Sequence, residues 1–519
     1  MYQKIIRLWP LLLILLFAFV LRIINLEKLF YFTYDESVFA FVGRRLILWN
    51  HIPLIGGATP FGFHVAPYFY WFFALPLGIG NLNPIAWGWT SAIIATLTAF
   101  MMYQVGKAFG NRRVGFLAAA FWTFSYLANV YDRHFWGLTF GPLFSLIVLY
   151  CLYQIKNGRQ NFIYLLGFVL ALIIHADLSY YVFLAMAAVS WIVFKLPINK
   201  KTALAVAFIV ISFLPLVVFD LRHNFANVRP VADFLNSGRN TPGFEVPKFT
   251  ENLLLFPRSA ARFIYTPGDN EVVKQYSYCK NFVVEKFSAL PAISVLAAAI
   301  ILLHFVYWSW RKNSSTGWRL VSLILILHFV GIQIYGTILR ADIFEHYLTG
   351  IFSIYILIFA LFVSRIPKKF WLLVLGLFVA ANLYKFSQAQ NSQGLTEKRQ
   401  AIEYTVQKVG DKPFSLDSLS TCWKLNGYRY LFTVFGREPV KSYVDPNFAY
   451  LYGTTPVWEN HPETVVAFVV HDFVPETSEF HSRYALLKSH EVSSKTFGTI
   501  EVIILDNSGQ WFDKVTSLP

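Results

Sequence analysis

Residues 11–37 read LLLILLFAFVLRIINLEKLFYFTYDES, a long apolar run that ends in two neighbouring carboxylates. The apolar part, at about 8–26, is long enough to cross a bilayer as a helix. Two basic residues precede it, which predicts a cytoplasmic N-terminus. Carboxylates are expensive near hydrocarbon, and those that are kept there usually serve binding or chemistry. Asp35 and Glu36 are therefore the first candidates for a functional site.

The composition extends the membrane interpretation to the whole chain of 519 residues. Hydrophobic residues make up 56% of it, aromatic residues 18% and charged residues only 14%. A soluble domain of this size does not need so much apolar surface. The net charge is +15, but the basic residues form short clusters between apolar runs. This is the pattern of cytoplasmic loops, and it argues against a nucleic-acid-binding protein.

Ten further apolar runs follow, which predicts an α-helical polytopic membrane protein with about eleven transmembrane helices. The eleven runs lie at about 8–26, 85–106, 114–130, 138–155, 162–176, 178–195, 202–219, 287–308, 319–338, 347–364 and 369–385. The connecting segments that this threading places inside hold 16 Lys or Arg and no acid, so all 29 acids fall outside. Because Lys and Arg in loops determine orientation, we expect a plasma-membrane protein that works on its outer face.

The same threading predicts two domains. Residues 1–385 form the transmembrane part, and 386–519 form a small extracytoplasmic α/β domain with helical and strand-like runs. A first outer loop spans 27–84, and a second, longer one spans 220–286. The short apolar stretch 64–80 contains two prolines, so we expect an interfacial or re-entrant helix there and not a further span.

Acidic and basic side chains cluster together at the outer ends of the predicted spans. The clusters are Asp35 and Glu36; Asp132, Arg133 and His134; His175 and Asp177; Asp220, Arg222 and His223; and Arg340, Asp342, Glu345 and His346. A carboxylate can take a proton from an attacking hydroxyl or hold a divalent ion. Arg and His can hold a departing phosphate. With an aromatic groove for an isoprenoid tail, these groups suit sugar transfer from a lipid-linked phosphate.

Some of these residues have an equally plain structural interpretation. Asp132 and Arg133 fit a salt bridge at a helix end, and His175 fits a structural role in a tight outer turn. Arg44 and Arg45 fit the polar face of an amphipathic helix. Adjacent like charges offer no packing advantage, so the pair Asp35 and Glu36 is the one that calls for a function.

The order of these motifs resembles a known family. FTYDESVFAFVGRRL carries the Asp-Glu pair, HVAPY carries His64 and Tyr68, and the basic turn VGKAFGNRRVGFLAAA is followed by DRHFWG. This order resembles the GT-C glycosyltransferases. Within them it is similar to the family 39-like bacterial relatives of dolichyl-phosphate-mannose protein mannosyltransferases and of the aminoarabinose transferase of lipid A. The resemblance covers about 1–385 and is strongest over the first 150 residues.

The resemblance implies a membrane enzyme that uses a polyprenyl-phosphate sugar and inverts the anomeric centre. Asp35 matches the family's first-loop carboxylate, and Glu36 matches its neighbour. Asp132 and Arg133 fall where such enzymes place a second acid and a basic residue. His346 stands where many relatives have Arg, and HYLTGIFSIYI lacks the prolines that follow there in the family.

We therefore predict Asp35, Glu36 and Asp132 as catalytic residues. Ligands of the lipid phosphate or sugar are predicted to be Arg133, His134, His64, Tyr68, Arg340, His346 and Arg222. Asp35 is expected to act as a general base toward an acceptor hydroxyl, or to share Mn²⁺ or Mg²⁺ with Asp132. The acceptor, a protein, lipid or glycan, would be extracytoplasmic.

Two other functional classes stay open on the sequence. A transporter or flippase of lipid-linked sugars is one, although such proteins tend to carry broken helices and charges near the bilayer midplane. A non-catalytic envelope assembly protein that displays its C-terminal domain is the other, and it would leave Asp35 and Glu36 without a role. Transfer of sugar from a polyprenyl-phosphate donor by purified protein separates these classes.

Overall fold

The architecture is that of a computed structural model of the chain. It describes residues 2–59, 61–236, 246–264, 272–276, 281–285, 290–312, 314–339, 343–391, 394–419, 427–442, 462–471 and 478–512. Over these residues the chain is an α-helical polytopic membrane protein with a small C-terminal α/β domain. The fold class predicted from the sequence is confirmed.

Helices make up most of the described chain. They are α1 (Tyr2–Ile23), α2 (Leu26–Leu29), α3 (Tyr34–Trp49), α4 (Tyr68–Ile79), α5 (Ile85–Phe109), α6 (Arg112–Phe124), α7 (Tyr126–Tyr131), α8 (Gly141–Lys156), α9 (Phe162–Ile173), α10 (Val182–Val193), α11 (Lys200–Ile211), α12 (Leu214–Arg222), α13 (Arg229–Asn236), α14 (Val246–Ile264), α15 (Ala292–Ser309), α16 (Thr316–Ile332), α17 (Thr349–Arg365), α18 (Lys368–Ser387), α19 (Leu395–Val409), α20 (Tyr428–Phe435) and α21 (Ser478–Ser489). Short 3₁₀ turns precede α8, α10 and α17, and a π-helical turn extends α16 to Ile338.

Seven helical stretches in the described part of the chain are long and apolar enough to cross a membrane. They are Ile85–Phe109, Gly137–Lys156, Lys200–Arg222, Ala292–Ser309, Thr316–Ile338, Glu345–Arg365 and Lys368–Ser387. Shorter apolar helices lie at Trp9–Ile23, Tyr68–Ile79, Phe162–Ile173 and Leu178–Val193. Each predicted span thus coincides with one helix or with two consecutive helices. The span predicted at 114–130 is two helices because Ser125 adopts an extended conformation and caps α7 through Ala128 N–H.

Small residues let the membrane helices approach one another closely. Where α5 meets α6, a Cβ on Gly106 would lie 2.9 Å from the Cα of Gly115. A Cβ on Gly115 would lie 2.6 Å from the carbonyl oxygen of Tyr103. Backbone contact of this kind replaces the hydrophobic driving force that lipid cannot supply. Helices α5 and α6 therefore form a closely packed pair within the bundle.

The C-terminal domain is built on a five-stranded sheet with the order β4-β3-β5-β7-β6. Its strands are β3 (Phe414–Leu419), β4 (Lys441–Ser442), β5 (Thr464–Val470), β6 (Glu491–Phe497) and β7 (Ile500–Asp506). A separate antiparallel pair, β1 (Val272–Tyr276) and β2 (Asn281–Glu285), belongs to the second long loop. Strands β4, β3 and β5 are parallel, and β7 runs antiparallel to β5 and β6.

One hydrophobic core joins this domain to the first outer loop. Phe41 of α3 and Phe73 of α4 belong to the same buried cluster as Leu416 of β3 and Phe468 of β5. The rings of Phe41 and Tyr430 pack edge to face, with 5.2 Å between their centroids. The C-terminal domain therefore packs directly on the helix that begins at the Asp-Glu pair.

Candidate active site

Helix α3 begins at the Asp-Glu pair because Thr33 and Glu36 cap it. The Glu36 Oε2 atom accepts hydrogen bonds from Thr33 N–H at 3.0 Å and from Thr33 Oγ1 at 2.8 Å. This is a capping box, in which the third helical residue reaches back to the cap. Glu36 is fully buried by this arrangement, while its neighbour Asp35 points elsewhere. The two adjacent carboxylates therefore have different surroundings.

Asp35 opens onto a cavity of about 770 Å³. One face of α3 lines it, through residues spaced by three, four, seven and ten positions from the aspartate: Asp35, Val38, Phe39, Val42 and Arg45. This spacing is that of a single helix face. With a rise of 1.5 Å per residue, Arg45 lies about 15 Å along the helix from Asp35. The face thus carries an acid at one end and a guanidinium at the other.

The Asp35 carboxylate has no hydrogen-bond partner among the described residues. Its side chain is exposed to the space inside the cavity, while protein surrounds the cavity at longer range. That enclosure, together with the charges of Glu36 and Asp177, raises the pKa of Asp35 from 3.8 to about 7. A carboxylate with a pKa near neutrality is suited to accept a proton in a reaction.

Asp177 is the second acid that lines the cavity. Its Oδ1 accepts a hydrogen bond from Ser179 N–H at 2.8 Å, which caps the short helix that leads into α10. Burial raises the pKa of Asp177 in spite of that bond. Asp177 belongs to one of the clusters seen in the sequence, and the fold brings its charge close enough to act on Asp35.

Cations and imidazoles make up much of the remaining polar lining. They are Arg45, His51, His64, Arg222, His223 and His346. Of these, His64, Arg222 and His346 were predicted as ligands of a lipid phosphate or sugar, and all three lie on the cavity wall. Two acids thus face six basic or imidazole side chains, which suits a substrate that carries negative charge.

His64 also ties the first outer loop to the second. Its Nδ1 is 2.9 Å from the carbonyl oxygen of Gly56, and its backbone N–H donates to Asn227 Oδ1 at 2.6 Å. Asn227 N–H in turn donates to Asp220 Oδ1 at 2.7 Å. These bonds hold the entrance to α13 against the loop that contains the HVAPY segment. The acid Asp220 therefore serves loop structure.

His134 fixes the capping glutamate from the other side. Its Nδ1 lies 3.1 Å from Glu36 Oε1, and its ring stacks on Tyr31 at 3.9 Å and on Trp136 at 4.9 Å. Burial opposes ionisation of Glu36, but the hydrogen bonds from His134 and Thr33 outweigh it and lower the pKa of Glu36. The predicted catalytic Glu36 and sugar ligand His134 are thus placed in a buried pair behind the cavity.

Asp132 does not lie beside Asp35 on the cavity wall. Its Oδ2 accepts two hydrogen bonds from the guanidinium of Arg22, at 3.0 Å from Nε and 2.8 Å from Nη2. Arg22 is 1% exposed and Asp132 5%, and Arg22 also donates to the carbonyl oxygens of Trp122 and Thr123. The structure therefore gives this acid to a buried ion pair between α1 and the end of α7, and not to the site in which the sequence placed it.

Arg133 is likewise turned into the protein. Its guanidinium donates to the carbonyl oxygens of Asn129 at 3.1 Å and Leu21 at 2.6 Å and lies over the ring of Phe386. It is 3% exposed and absent from the cavity lining. The predicted phosphate ligand Arg133 thus holds α1 against the Asp132 turn, whereas the predicted ligands His64, Arg222 and His346 reach the cavity.

The other predicted ligands have mixed placements. Tyr68 begins α4 and packs against Trp71 and His175, beside the cavity but outside its lining. His346 stacks on Phe344 at 5.3 Å and contacts Trp136 at 5.1 Å. Arg340 lies outside the described residues, as does Asp342 of the same cluster.

The predicted metal site does not fit the residues that are present. In the ranges that the structure describes, there is no group of three or more His, Cys, Asp or Glu side chains that could hold a metal ion. Asp132 gives its carboxylate to Arg22, and His134 and Glu36 bind each other. Hard divalent ions need carboxylate oxygens that are not already committed. No step of the reaction proposed below passes through Mn²⁺ or Mg²⁺.

Four ionisable cavity residues were not assigned to the site from the sequence. They are Arg45, His51, Asp177 and His223. The signal for Arg45 was present, because positions 35, 38, 42 and 45 share one helix face. It was read as the solvated face of an amphipathic helix. His51 and Asp177 gave no such signal, since they sit in loops whose approach to Asp35 is decided by tertiary structure.

An apolar groove of about 380 Å³ continues from the cavity. It runs between α10 and the C-terminal half of α16, and the two spaces share Asp177, Leu178 and Tyr347. Its aliphatic lining consists of Leu178, Val182, Ala185, Leu327, Val330, Ile332 and Ile334. A charged cavity that opens into an apolar groove suits a ligand with a polar head and a hydrocarbon tail.

Comparison with known proteins gives similarity in fold and none in sequence family. No family model and no curated protein matches the chain. The oligosaccharyltransferase AglB from Archaeoglobus fulgidus, in complex with an inhibitory peptide and a dolichol-phosphate, is 12% identical with a TM-score of 0.49, over 90% of this chain and 70% of that one. ArnT from Cupriavidus metallidurans in the apo state is 11% identical with a TM-score of 0.48, over 97% of this chain and 98% of that one.

A third similar structure is the arabinofuranosyltransferase AftD from Mycobacteria. It is 13% identical with a TM-score of 0.38, over 91% of this chain and 37% of that one. All three are GT-C-fold glycosyltransferases, the group that the sequence motifs resemble. At TM-scores below 0.5, these similarities say nothing about the donor or the acceptor of this chain. The donor and the acceptor have to be inferred from the residues that line the cavity of this chain.

Proposed function

We propose that this protein is a membrane glycosyltransferase that moves a sugar from a polyprenyl-phosphate donor to an extracytoplasmic hydroxyl acceptor. The observation that carries the proposal is the position of Asp35. Its carboxylate, with a pKa near 7, faces cationic groups across a cavity that opens into an apolar groove. Base, phosphate ligands and lipid channel are the three parts that such a transfer needs.

The proposed reaction is a single displacement at the anomeric carbon. The oxygen of the acceptor hydroxyl forms a bond to the anomeric carbon, and the Asp35 carboxylate takes the proton of that hydroxyl. The bond from the same carbon to the phosphate oxygen breaks, and the electron pair leaves with the polyprenyl phosphate. The configuration inverts because attack and departure are on opposite faces. The proton on Asp35 is then returned to solvent.

Arg222 and His346 are the proposed ligands of the departing phosphate. Both were predicted for this role, and both line the cavity. Negative charge grows on the phosphate as the bond to the sugar breaks, and positioned cations stabilise that charge in the transition state. Arg45 lies about 15 Å along α3 from Asp35 and lines the same cavity.

The groove beside α10 is the proposed site of the isoprenoid tail. It begins at Asp177 and Leu178, at the edge of the cavity, and continues along aliphatic side chains. Such a groove lets the donor keep its tail in the hydrocarbon layer while its phosphate reaches the cations. The basic connecting segments predict that this end of the bundle faces outward, with the N-terminus in the cytoplasm. Protein, lipid and glycan acceptors all present a suitable hydroxyl.

A groove-blocking variant tests the lipid-linked donor. Ala185 lines the groove, and Ala188 lies on the same helix outside it. Ala185→Trp fills the groove and should raise the donor KM by about tenfold or more for a long-chain polyprenyl-phosphate sugar, which corresponds to about 1.4 kcal/mol of lost binding. The same change should have little effect on a donor with a very short tail. Ala188→Trp is the matched control and should behave like the wild type.

The assay is transfer of a labelled sugar by purified protein in detergent. Equal effects of both substitutions, or of Ala185→Trp on long and short donors, would contradict the groove assignment. Movement of intact lipid-linked sugar across liposomes without any glycosylated or hydrolysed product would favour a flippase instead. The transfer assay in detergent, combined with this second measurement in liposomes, thus separates the proposed enzyme from the transporter that the sequence left open.

A further inference from the structure

We propose that the C-terminal domain is part of the active-site scaffold and that Lys398 is the residue through which it positions Asp35. The inference deepens the proposed function, since it takes Asp35 to be the reacting group. It assigns to 386–519 a role that neither the sequence nor the comparisons give it. The observation behind it is a set of contacts from α19 to the backbone just before α3.

Lys398 is completely buried, at 0% exposure. Its Nζ donates a hydrogen bond to the carbonyl oxygen of Phe32 at 2.5 Å, and it lies 5.2 Å from the ring centroid of Tyr428. Lysine is almost never fully buried unless its ammonium group is well held. The carbonyl that it binds belongs to the residue before the cap of α3. A buried charge from another domain thus fixes the start of the Asp35 helix.

Further contacts from the same region hold the preceding residues. Asn391 Nδ2 donates to the carbonyl oxygen of Leu29 at 3.2 Å, and Arg399 forms an ion pair with Glu27 at 2.5 Å. Gly427, with a φ of +75°, packs so closely that a Cβ there would lie 2.8 Å from the ring of Phe32. The segment 27–33 is therefore held along its length by the C-terminal domain.

The opposite side of this segment rests on the membrane domain. Tyr31 N–H donates to the carbonyl oxygen of Arg133 at 3.1 Å, and the ring of Tyr31 stacks on His134. The segment thus lies between α19 on one side and the Arg22–Asp132 corner on the other. Removal of the support from α19 should let the start of α3 move while the Arg22–Asp132 corner keeps the bundle folded.

A second connection holds the far end of α3. Arg44 Nη2 pairs with Glu438 Oε1 at 2.7 Å, and Arg429 pairs with Glu438 Oε2 at 3.2 Å. Tyr430 OH also donates to the carbonyl oxygen of Leu82 at 2.7 Å. Arg44 directly precedes the cavity residue Arg45. Both ends of the helix face that lines the cavity are therefore attached to the C-terminal domain.

Positioning of this kind affects rate more than binding. A displacement of about 1 Å in a reacting group can cost on the order of 10²-fold in rate, whereas the donor is held mainly by groups on other elements. Lys398 does not touch the cavity, so it acts through the backbone of Phe32 and Thr33. Its loss should lower kcat and leave the donor KM nearly unchanged.

The test compares Lys398→Met with Lys408→Met in the full-length protein. Methionine preserves most of the side-chain volume and removes the donor to the carbonyl oxygen of Phe32. Lys408 is an exposed lysine on the same helix and serves as the matched control. Two quantities are measured, namely amide hydrogen exchange of peptides covering 31–37 and the kinetics of sugar transfer. Glu438→Gln, which releases the far end of α3, is a second variant with a milder expected effect.

We expect Lys398→Met to speed exchange over 31–37 by roughly tenfold or more, while peptides from α5 and α6 stay unchanged. The kcat should fall by roughly 10- to 100-fold with the donor KM within about twofold. Unchanged exchange at 31–37, or a uniform rise over the whole chain, would overturn the positioning role. Faster exchange with an unchanged kcat would also overturn it. Absence of transfer by the wild type would instead count against the proposed function, and the exchange result would still decide the contact.

Discussion

Asp35 and Asp132 are nearly indistinguishable in the sequence, and the structure gives them opposite surroundings. Each is an acid beside another charged residue, and each comes at the predicted outer end of a span. Asp132 is 5% exposed and accepts two hydrogen bonds from Arg22. Asp35 faces a cavity of about 770 Å³ and has no hydrogen-bond partner within the described ranges. We infer that a carboxylate with a buried counter-ion stabilises the fold, whereas one without a counter-ion is available for chemistry.

The same distinction separates the other charged groups of the outer face. Glu36 pairs with His134, and Glu345 accepts a hydrogen bond from Arg262 at 2.5 Å and another from Tyr131 at 3.0 Å. Both glutamates are fully buried. These ion pairs tie loops and helices to one another around the cavity. They surround the site in which Asp35 faces Asp177, Arg222 and His346.

The largest expected effect is on the buried pair. Asp132→Asn leaves the guanidinium of Arg22 buried without its counter-ion, which should destabilise the fold by about 3–5 kcal/mol. Thermal unfolding of the purified protein in detergent measures this loss. The double variant Arg22→Met with Asp132→Leu should recover most of the stability, because it removes both charges. A recovered double variant that transfers sugar at a rate near that of the wild type would show that Asp132 takes no part in the reaction.

Asp35→Asn should show the reverse pattern, with a large loss of rate and no loss of stability. Removal of a general base costs on the order of 10²- to 10⁴-fold. The folded protein keeps the Asp35 proton up to pH about 7, against a usual value of 3.8, so the charge of Asp35 increasingly destabilises the fold as the pH rises between these values. The asparagine variant is free of that cost, and its melting temperature at pH 8 should equal or exceed that of the wild type. A drop in melting temperature with retained transfer would reverse the roles of the two acids.

The sequence was sufficient for the fold class and singled out Asp35, whose catalytic role stays a prediction, and it was insufficient for the partners of the other charges. Span length, apolar composition and the bias of Lys and Arg in the loops act locally along the chain, so they can be read without coordinates. The pairing of Asp132 with Arg22 joins positions that are 110 residues apart. Arg22 looked like a basic residue at the end of the first span, and nothing local identifies its partner. The sequence suggested the adjacent Arg133 as the partner of Asp132, but the guanidinium of Arg133 donates to backbone carbonyl oxygens.

A smaller effect is expected from the acid that faces Asp35 across the cavity. Asp177 contributes to the raised pKa of Asp35 through its charge, after burial and Glu36. Asp177→Asn should therefore lower the pKa of Asp35 and move the acidic limb of kcat/KM toward lower pH, with activity at pH 8 largely preserved. Ser179→Ala is a nearby control that keeps the charge of Asp177. An unmoved limb in Asp177→Asn would mean that the two carboxylates do not interact.

The dependence of kcat/KM on pH, measured for the wild type and for Asp35→Asn, tests whether Asp35 is the general base of the transfer. The cavity also holds four histidines, His51, His64, His223 and His346, so the variant is needed to assign the limb to Asp35. If Asp35 is the base, the wild-type value falls about tenfold per pH unit below pH about 7, and the residual rate of the variant does not change with pH in that range. An acidic limb near pH 4, or one that survives in Asp35→Asn, would contradict the role of Asp35 as the general base.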